Sequence, residues 1–525
     1  MILAGPRDSW PRSGRVQWDL PIPQHRPRER ITVQGMTARV TPVLLALALV
    51  LLGGCTPPAP SRTSLPPTSA PGSASAAPSS SPTSGSTCGS GSAPRIPGDI
   101  DGDGVADPVV QSQPAGPNTL EVHNSAAGTQ VITRDDLPFG SARSFFGTPI
   151  VADVTGDGCA DVLTFATGEI DLIPGSTSGL VPAKATSVAG PRGNDSWGNS
   201  MALVSEPRML AVGVPTSPRS PHDGGAVMLY PIGDGGRFGE PALIHQDTAG
   251  IPGDSEAADL FGWELAADGD TLVIGAPGET IGNHRGAGAV TVLRFTGSGL
   301  AFNGLRLAQD NPGFDARAEE SDGLGGVLSV RGNLVALGVP NESIGGARGT
   351  GIVHVVELST GSLRVERVHN LQQDSPGIPD TNEYLDHFGG SVAFGSNIGC
   401  TAMVVVVGAP GERIVKEKSG SVTLAGLGKD CGDQWLAASS PIGAAFVRYL
   451  GRRVVTLPGG PDAGAPDIVL VADNNARPTG ELETGYVTAV RTLGAGSWKA
   501  EPVTPRDGHR AYEHFGQELG LVARP

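Results

Sequence analysis

The stretch Phe261-Gly262-Trp263-Glu264-Leu265, followed by Thr271-Leu272-Val273-Ile274-Gly275-Ala276-Pro277, decides the fold. An aromatic-Gly mark opens it. A continuous apolar run bounded by turn residues then ends in Gly-Ala-Pro, the pattern of a strand buried on both faces. The phrase returns at Phe388-Gly389 with Gly408-Ala409-Pro410. Weaker copies are Trp197-Gly198 with Gly213-Val214-Pro215, and Leu324-Gly325 with Gly338-Val339-Pro340. Aligned on the glycine of the mark, the copies fall at Gly147, Gly198, Gly262, Gly325, Gly389, Gly451 and Gly516, 51 to 65 residues apart. A second phrase runs in register upstream of three marks: Gln246-Asp247, Gln309-Asp310 and Gln373-Asp374, each with a glycine three residues on.

Repetition at this period indicates a propeller or a stacked array. Each unit reads as short strands, such as Ala287–Leu293 and Gly351–Glu357 after the Gly-Ala-Pro or Gly-Val-Pro phrase, and none shows helical periodicity over three turns. The seven marks bound six complete units. The last mark, Phe515-Gly516, is followed by Gln517–Val522 and little else, while residues 96–140 carry strands with no mark before them. The two halves make one composite blade that would close the ring by backbone hydrogen bonds. The expectation is therefore an all-β, seven-bladed propeller closed at its N-terminal blade by the last strand. A truncated eighth repeat is the alternative.

Asp386-His387-Phe388-Gly389-Gly390-Ser391-Val392-Ala393 with Gly408-Ala409-Pro410 resembles the FG-GAP repeat of the integrin α-subunit head and of bacterial surface proteins. The likeness covers roughly residues 96–525, and it too implies seven blades.

Two stretches carry chemistry. Asp99-Ile100-Asp101-Gly102-Asp103-Gly104-Val105-Ala106-Asp107 reads D-x-D-x-D-G-x-x-D, and Asp153-Val154-Thr155-Gly156-Asp157-Gly158-Cys159-Ala160-Asp161 repeats it with Thr in the second slot. Oxygen side chains at alternating positions converge when the chain wraps a hard cation, and glycine at the sixth position permits the sharp turn. Two Ca2+ sites are expected: Asp99, Asp101, Asp103, the Val105 carbonyl and Asp107 in one, and Asp153, Thr155, Asp157, the Cys159 carbonyl and Asp161 in the other. The twelfth positions, Val110 and Thr164, exclude an EF-hand. The loops resemble the calcium loops between the first two strands of FG-GAP blades. Asp268-Gly269-Asp270 and Arg331-Gly332-Asn333 are too short to wrap an ion and read as hairpin turns.

The domain plan follows from composition. Residues 1–35 read as an upstream segment before a translation start at Met36, and residues 36–54 as a signal peptide whose ten-residue apolar core, Val43–Leu52, is short for a membrane span. Leu52-Gly53-Gly54-Cys55 resembles a bacterial lipobox, which implies lipid on Cys55; a plain secretory signal with an incidental cysteine is the alternative. Residues 55–94 hold that cysteine and a Ser/Pro/Thr tether unable to bury a core. Residues 95–525 are the propeller. The expected location is the outer face of a bacterial cell membrane. The four other cysteines allow three pairings; Cys400 with Cys431 is the local one and leaves Cys88 with Cys159.

Formal net charge is −16, and residues 1–54 carry seven Arg against three acids, so the remainder carries −20. That argues against nonspecific nucleic-acid binding. G-x-S-x-G, H-E-x-x-H and P-loop motifs are absent, and the ten histidines are scattered, with His387 and His514 sitting in the marks. No catalytic residue is assigned. The function expected is a monomeric, calcium-stabilised, lipid-anchored propeller that binds a protein or glycan through the Gln-Asp loops and the loop around Pro215–Gly225. An exported hydrolase or lyase on the same scaffold is the alternative; it would need acids or histidines converging in the central channel.

Overall fold

The computed structural model describes Cys88 and residues 96–523, apart from residues 113–117, 125–127, 140–144, 167, 192–195, 217–222, 298, 302, 379, 414–419, 429–433, 438–448, 461–463, 474–485, 495–496 and 504–516. The apolar run 43–52, Cys55, Cys431 and Phe515-Gly516 lie outside the described residues, as does most of the loop around Pro215–Gly225. The described residues belong to one compact unit, Ser81–Pro525.

The apolar runs pair into seven antiparallel sheets of four main strands. Blade 4 shows the plan: Leu265–Asp268 innermost, then Thr271–Ala276, Ala289–Thr296 and Leu305–Leu307. The innermost strands of blades 2 to 7 are Phe145–Ala152, Met201–Val204, Leu265–Asp268, Val327–Arg331, Ser391–Ser396 and Arg453–Leu457. Neighbours in this order touch, and the C-terminal strand Glu518–Leu519 touches both Arg453–Leu457 and Phe145–Ala152, so the sheets form a ring. The short Gly269-Asp270 and Gly332-Asn333 segments are hairpin turns, joining Asp268 to Thr271 and Arg331 to Leu334.

Buried hydrophobic side chains form seven large clusters, one between each pair of neighbouring blades. Ala202, Val227 and Leu229 of blade 3 meet Phe261, Leu272 and Ile274 of blade 4, for example, and Val110 of blade 1 meets Val455 and Leu470 of blade 7. A sheet sandwiched this way is apolar on both faces, which is why its central strands read as continuous runs.

The aromatic-Gly and Gly-Ala-Pro phrases meet at these interfaces. Gly262 N–H donates to the Gly275 carbonyl at 2.9 Å within blade 4, and Gly389 N–H to Gly408 at 3.0 Å within blade 6. The Phe261 backbone N–H reaches back to the Gly224 carbonyl of the preceding blade at 2.9 Å. Gly275 is also the seat of the next blade: a Cβ there would lie 1.9 Å from the Gly325 carbonyl oxygen, and one on Gly408 would lie 1.9 Å from that of Gly451. The repeat glycines are spacers that let one blade's backbone rest against the next.

Ring closure is a double stitch. Glu518–Leu519 is the innermost strand of blade 1, antiparallel to Val109–Ser112, which continues to Thr119–Asn124 and Gly128–Ile132. After Gly520 the same segment crosses to blade 2, where Leu521–Val522 runs parallel to Phe145–Ala152. Glu518 accepts from Arg453 of blade 7 at 2.9 and 3.0 Å and from the Thr148 hydroxyl of blade 2 at 2.9 Å. One carboxylate thus joins three blades.

Candidate functional site

The two aspartate loops enter the second strands of blades 1 and 2, at corresponding places in the ring. In the first, backbone N–H groups turn the chain around Asp99: Gly102 donates to its Oδ1 at 2.7 Å and Gly104 to its Oδ2 at 2.9 Å. Asp103 Oδ1 accepts from Val105 N–H at 2.9 Å, and Asp107 Oδ2 from Ile100 N–H at 2.8 Å. These bonds bring one carboxylate oxygen each from Asp99, Asp101 and Asp107 within 4.8 Å of one another, all three residues being buried. Asp103 is exposed at the rim. Burial pushes Asp107 up to about 7, and Asp101, Asp99 and Asp103 push it further against the pull of the Ile100 N–H. Burial likewise raises Asp99. Three buried carboxyls thus crowd one turn of chain, and ionising all of them is unfavourable.

The second loop shares the turn and differs in its convergence. Gly156 and Gly158 donate to Asp153 at 2.7 and 3.0 Å, and Cys159 N–H to Asp157 at 3.0 Å. Asp161, fully buried, accepts from Val154, Thr155 and Gly175 N–H groups at 2.8, 2.7 and 2.9 Å. Burial nonetheless raises it to about 7. Among the described residues, Asp153, Asp157 and Asp161 do not form the tight oxygen group that Asp99, Asp101 and Asp107 form. Cys159 is bonded to Cys88, which sits against Gly102, so a disulfide ties the two loops together. Cys400 is also disulfide-bonded.

The Gln-Asp loops carry an internal brace beneath their exposed residues. Gln246, Gln309 and Gln373 are buried, and each donates its side-chain N–H to the glutamate after the next Gly-Ala-Pro or Gly-Val-Pro: Glu279, Glu342 and Glu412, each at 2.5 Å. Beside each glutamate lies a buried aspartate, Asp259, Asp322 or Asp386, that accepts from the N–H of a glutamate three residues before it at 2.6, 2.5 and 2.6 Å. The signal was in the sequence: Glu256-x-x-Asp259, Glu319-x-x-Asp322 and Glu383-x-x-Asp386 sit in register before three marks. The loops' exposed parts, such as Asp254, Glu256 and Ala257, remain at the surface. His387 serves the scaffold, its Nδ1 lying 3.0 Å from the Pro340 carbonyl oxygen.

The central channel holds a cavity of about 220 Å3 between the innermost strands. Its charged lining is Glu264, Asp268, Arg331, Arg453 and Glu518, and no histidine or cysteine lines it among the described residues. Protein surrounds Glu264 on all sides while solvent reaches it along the channel, and this enclosure raises it to about 7 against the pull of Arg453.

The FG-GAP repeat family model matches residues 250–293, which run from within the first Gln-Asp loop through both phrases to the third strand of blade 4. This is an FG-GAP repeat protein. The FG-GAP phrase is its inter-blade seat, and the seven-bladed ring is the architecture its repeats build. No curated protein matches the chain. Among the described residues of this FG-GAP propeller, no helix is long and apolar enough to cross a membrane.

Proposed function

We propose that this FG-GAP propeller is a calcium-stabilised binding module, lipid-anchored through Cys55 outside a bacterial cell, that recognises a protein or glycan through its exposed connections. The observation that carries the reading is the convergence of Asp99, Asp101 and Asp107 in a loop whose glycines already make the turn. These residues fit calcium, which takes six to eight oxygens, with Asp103 and the Val105 carbonyl adding to the set. In the second loop Asp161 is held in place, and Asp153, Thr155, Asp157 and the Cys159 carbonyl would be drawn toward it on binding. Calcium would supply the positive charge that the buried carboxyls lack. The repeat fold supplies a rigid ring, and rigid scaffolds carry recognition on their loops.

The test has two parts. A Cys55→Ser variant should move from the membrane fraction to the soluble exported fraction; an unchanged distribution would exclude the lipid anchor. The immobilised chain should retain defined envelope glycans or purified envelope proteins with calcium and release them in chelator. Retention that ignores chelator would separate ligand binding from the metal.

A further inference from the structure

We propose that Asp380, Glu383, Asp386 and Glu412, at the start of blade 6, form a site for a calcium-sized divalent cation with the Gln373 side-chain oxygen, apart from the D-x-D-x-D-G loops. The three Gln-Glu-Asp clusters share one scaffold and differ in how their negative charge is met. In blade 4, Arg306 donates to Glu279 at 2.7 Å. Strand register places Arg306 beside Thr291, one position before the Val290–Leu307 pair. The same register position holds Asn370 in blade 5 and Trp435 in blade 6. Neither residue type brings a positive charge; the cation near the blade 6 acids is Arg413, next in sequence to Glu412 and close enough to act on Asp386.

Blade 6 also adds acid. Asp380 accepts from Gln373 Nε2 at 3.0 Å, which brings a fourth carboxylate to the cluster. One oxygen each from Glu383, Asp386 and Glu412 lies within 4.8 Å of the others, the only such grouping outside the first aspartate loop among the described residues.

One buried oxygen, found in this cluster and not in the other two, points to a ligand independently of the acid count. Asp386 is fully buried; its Oδ2 takes the Glu383 N–H, and its Oδ1 meets no donor. Gln373 is fully buried too; its Nε2 is spent on Glu412 and Asp380, and its Oε1 meets no donor, a feature it shares with Gln246 and Gln309 in the other two clusters. A buried acceptor without a partner is costly, and a hard cation satisfies several at once. Glu383 is exposed, so an ion can reach the site from solvent.

The experiment is calcium titration of the chelator-stripped full chain by calorimetry, with bound ions counted by native mass spectrometry. The double variant D386N/E412Q should bind one ion fewer than wild type. E279Q, where Arg306 already meets the charge, should bind the same number. D99N/D107N should lose a different ion and keep this one, so failure of the loop sites and of this site are distinguishable. An unchanged count in D386N/E412Q would overturn the proposal. Should that variant fail to fold, wild-type crystals grown with MnCl2 decide the question. An anomalous peak among Glu383, Asp386 and Glu412 is expected, and its absence there would refute the site.

Discussion

Blades 1 and 2 and blades 4 to 6 place their extra chain at opposite ends of the inner strand. In blade 2 the chain passes from Phe145–Ala152 to Asp161–Ala166 through the aspartate loop, whereas in blade 4 the same connection is a two-residue turn. Blades 4 to 6 spend their length before the inner strand, where the Gln-Asp loops lie. Successive strands of a blade are antiparallel, so the aspartate loops and the Gln-Glu-Asp clusters face opposite ends of the ring. One region is tied by wrapped loops, a disulfide and a buried ion pair; the other is tied by a side-chain brace reaching from one blade to the next. The ring therefore takes insertions at either end of the inner strand, and each end solves the burial of its acids differently.

Four substitutions probe that contrast. The largest effect is expected in the first region. Arg134, 1% exposed, links blade 1 to blade 2 through Asp171 at 2.7 Å and through Glu169. Arg134→Ala strands a fully buried carboxylate and should cost about 3–5 kcal/mol in denaturant unfolding. A loss below 1 kcal/mol would mean that the disulfide and the loops hold blades 1 and 2 without the ion pair.

Next comes Gly408→Ala in the second region, where the new methyl meets the Gly451 backbone. A loss of about 3 kcal/mol is expected from overpacking that the sheets cannot relax. If Gly408→Ala melts like wild type, the Gly-Ala-Pro glycine is not an inter-blade seat.

Calcium at a hundredfold excess over its Kd should stabilise the wild type by about 2.7 kcal/mol per site. Asp107→Asn should remove most of the stabilisation due to the first loop, read as a smaller calcium-induced rise in Tm. An identical rise would place the ion elsewhere.

The smallest effect concerns pH. Burial, with Asp322 beside it, raises Glu342 to about 7 in the folded chain, whereas its ordinary value is 4.5. Asp259 rises to about 7 and Asp322 to about 6 for the same first cause. Between pH 4.5 and 7 the folded chain therefore holds protons that the unfolded chain has lost, and stability falls as pH rises across that window. Glu342→Gln should flatten this fall by an amount of the order of 1 kcal/mol, followed as Tm against pH in metal-free buffer. A slope steeper in the variant than in wild type would reverse the assignment.

Much of the fold was legible because propeller blades are local. Each strand pairs with its sequence neighbour, so a recurring mark counts the blades, and the loose strand at each end announces a composite one. The turns of the aspartate loops were legible for the same reason: Gly102, Asp103 and Gly104 donate to Asp99, and Gly156 and Gly158 to Asp153, all from within five residues. The role of Gln246, Gln309 and Gln373 was not, since their partners lie 33 to 39 residues on, in the next blade.

Periodicity and short-range spacing were enough to give the class of fold, the number of blades and the glycine-assisted turns of the aspartate loops. Among the described residues, it took tertiary packing to bring three carboxylate oxygens together in the first loop and not in the second. It alone showed Arg306 answering one acidic cluster while Asn370 and Trp435 stand at its register position in the others. Those outcomes depend on which strands lie side by side and on how deeply a carboxylate is buried. Neither quantity can be read from spacing along the chain.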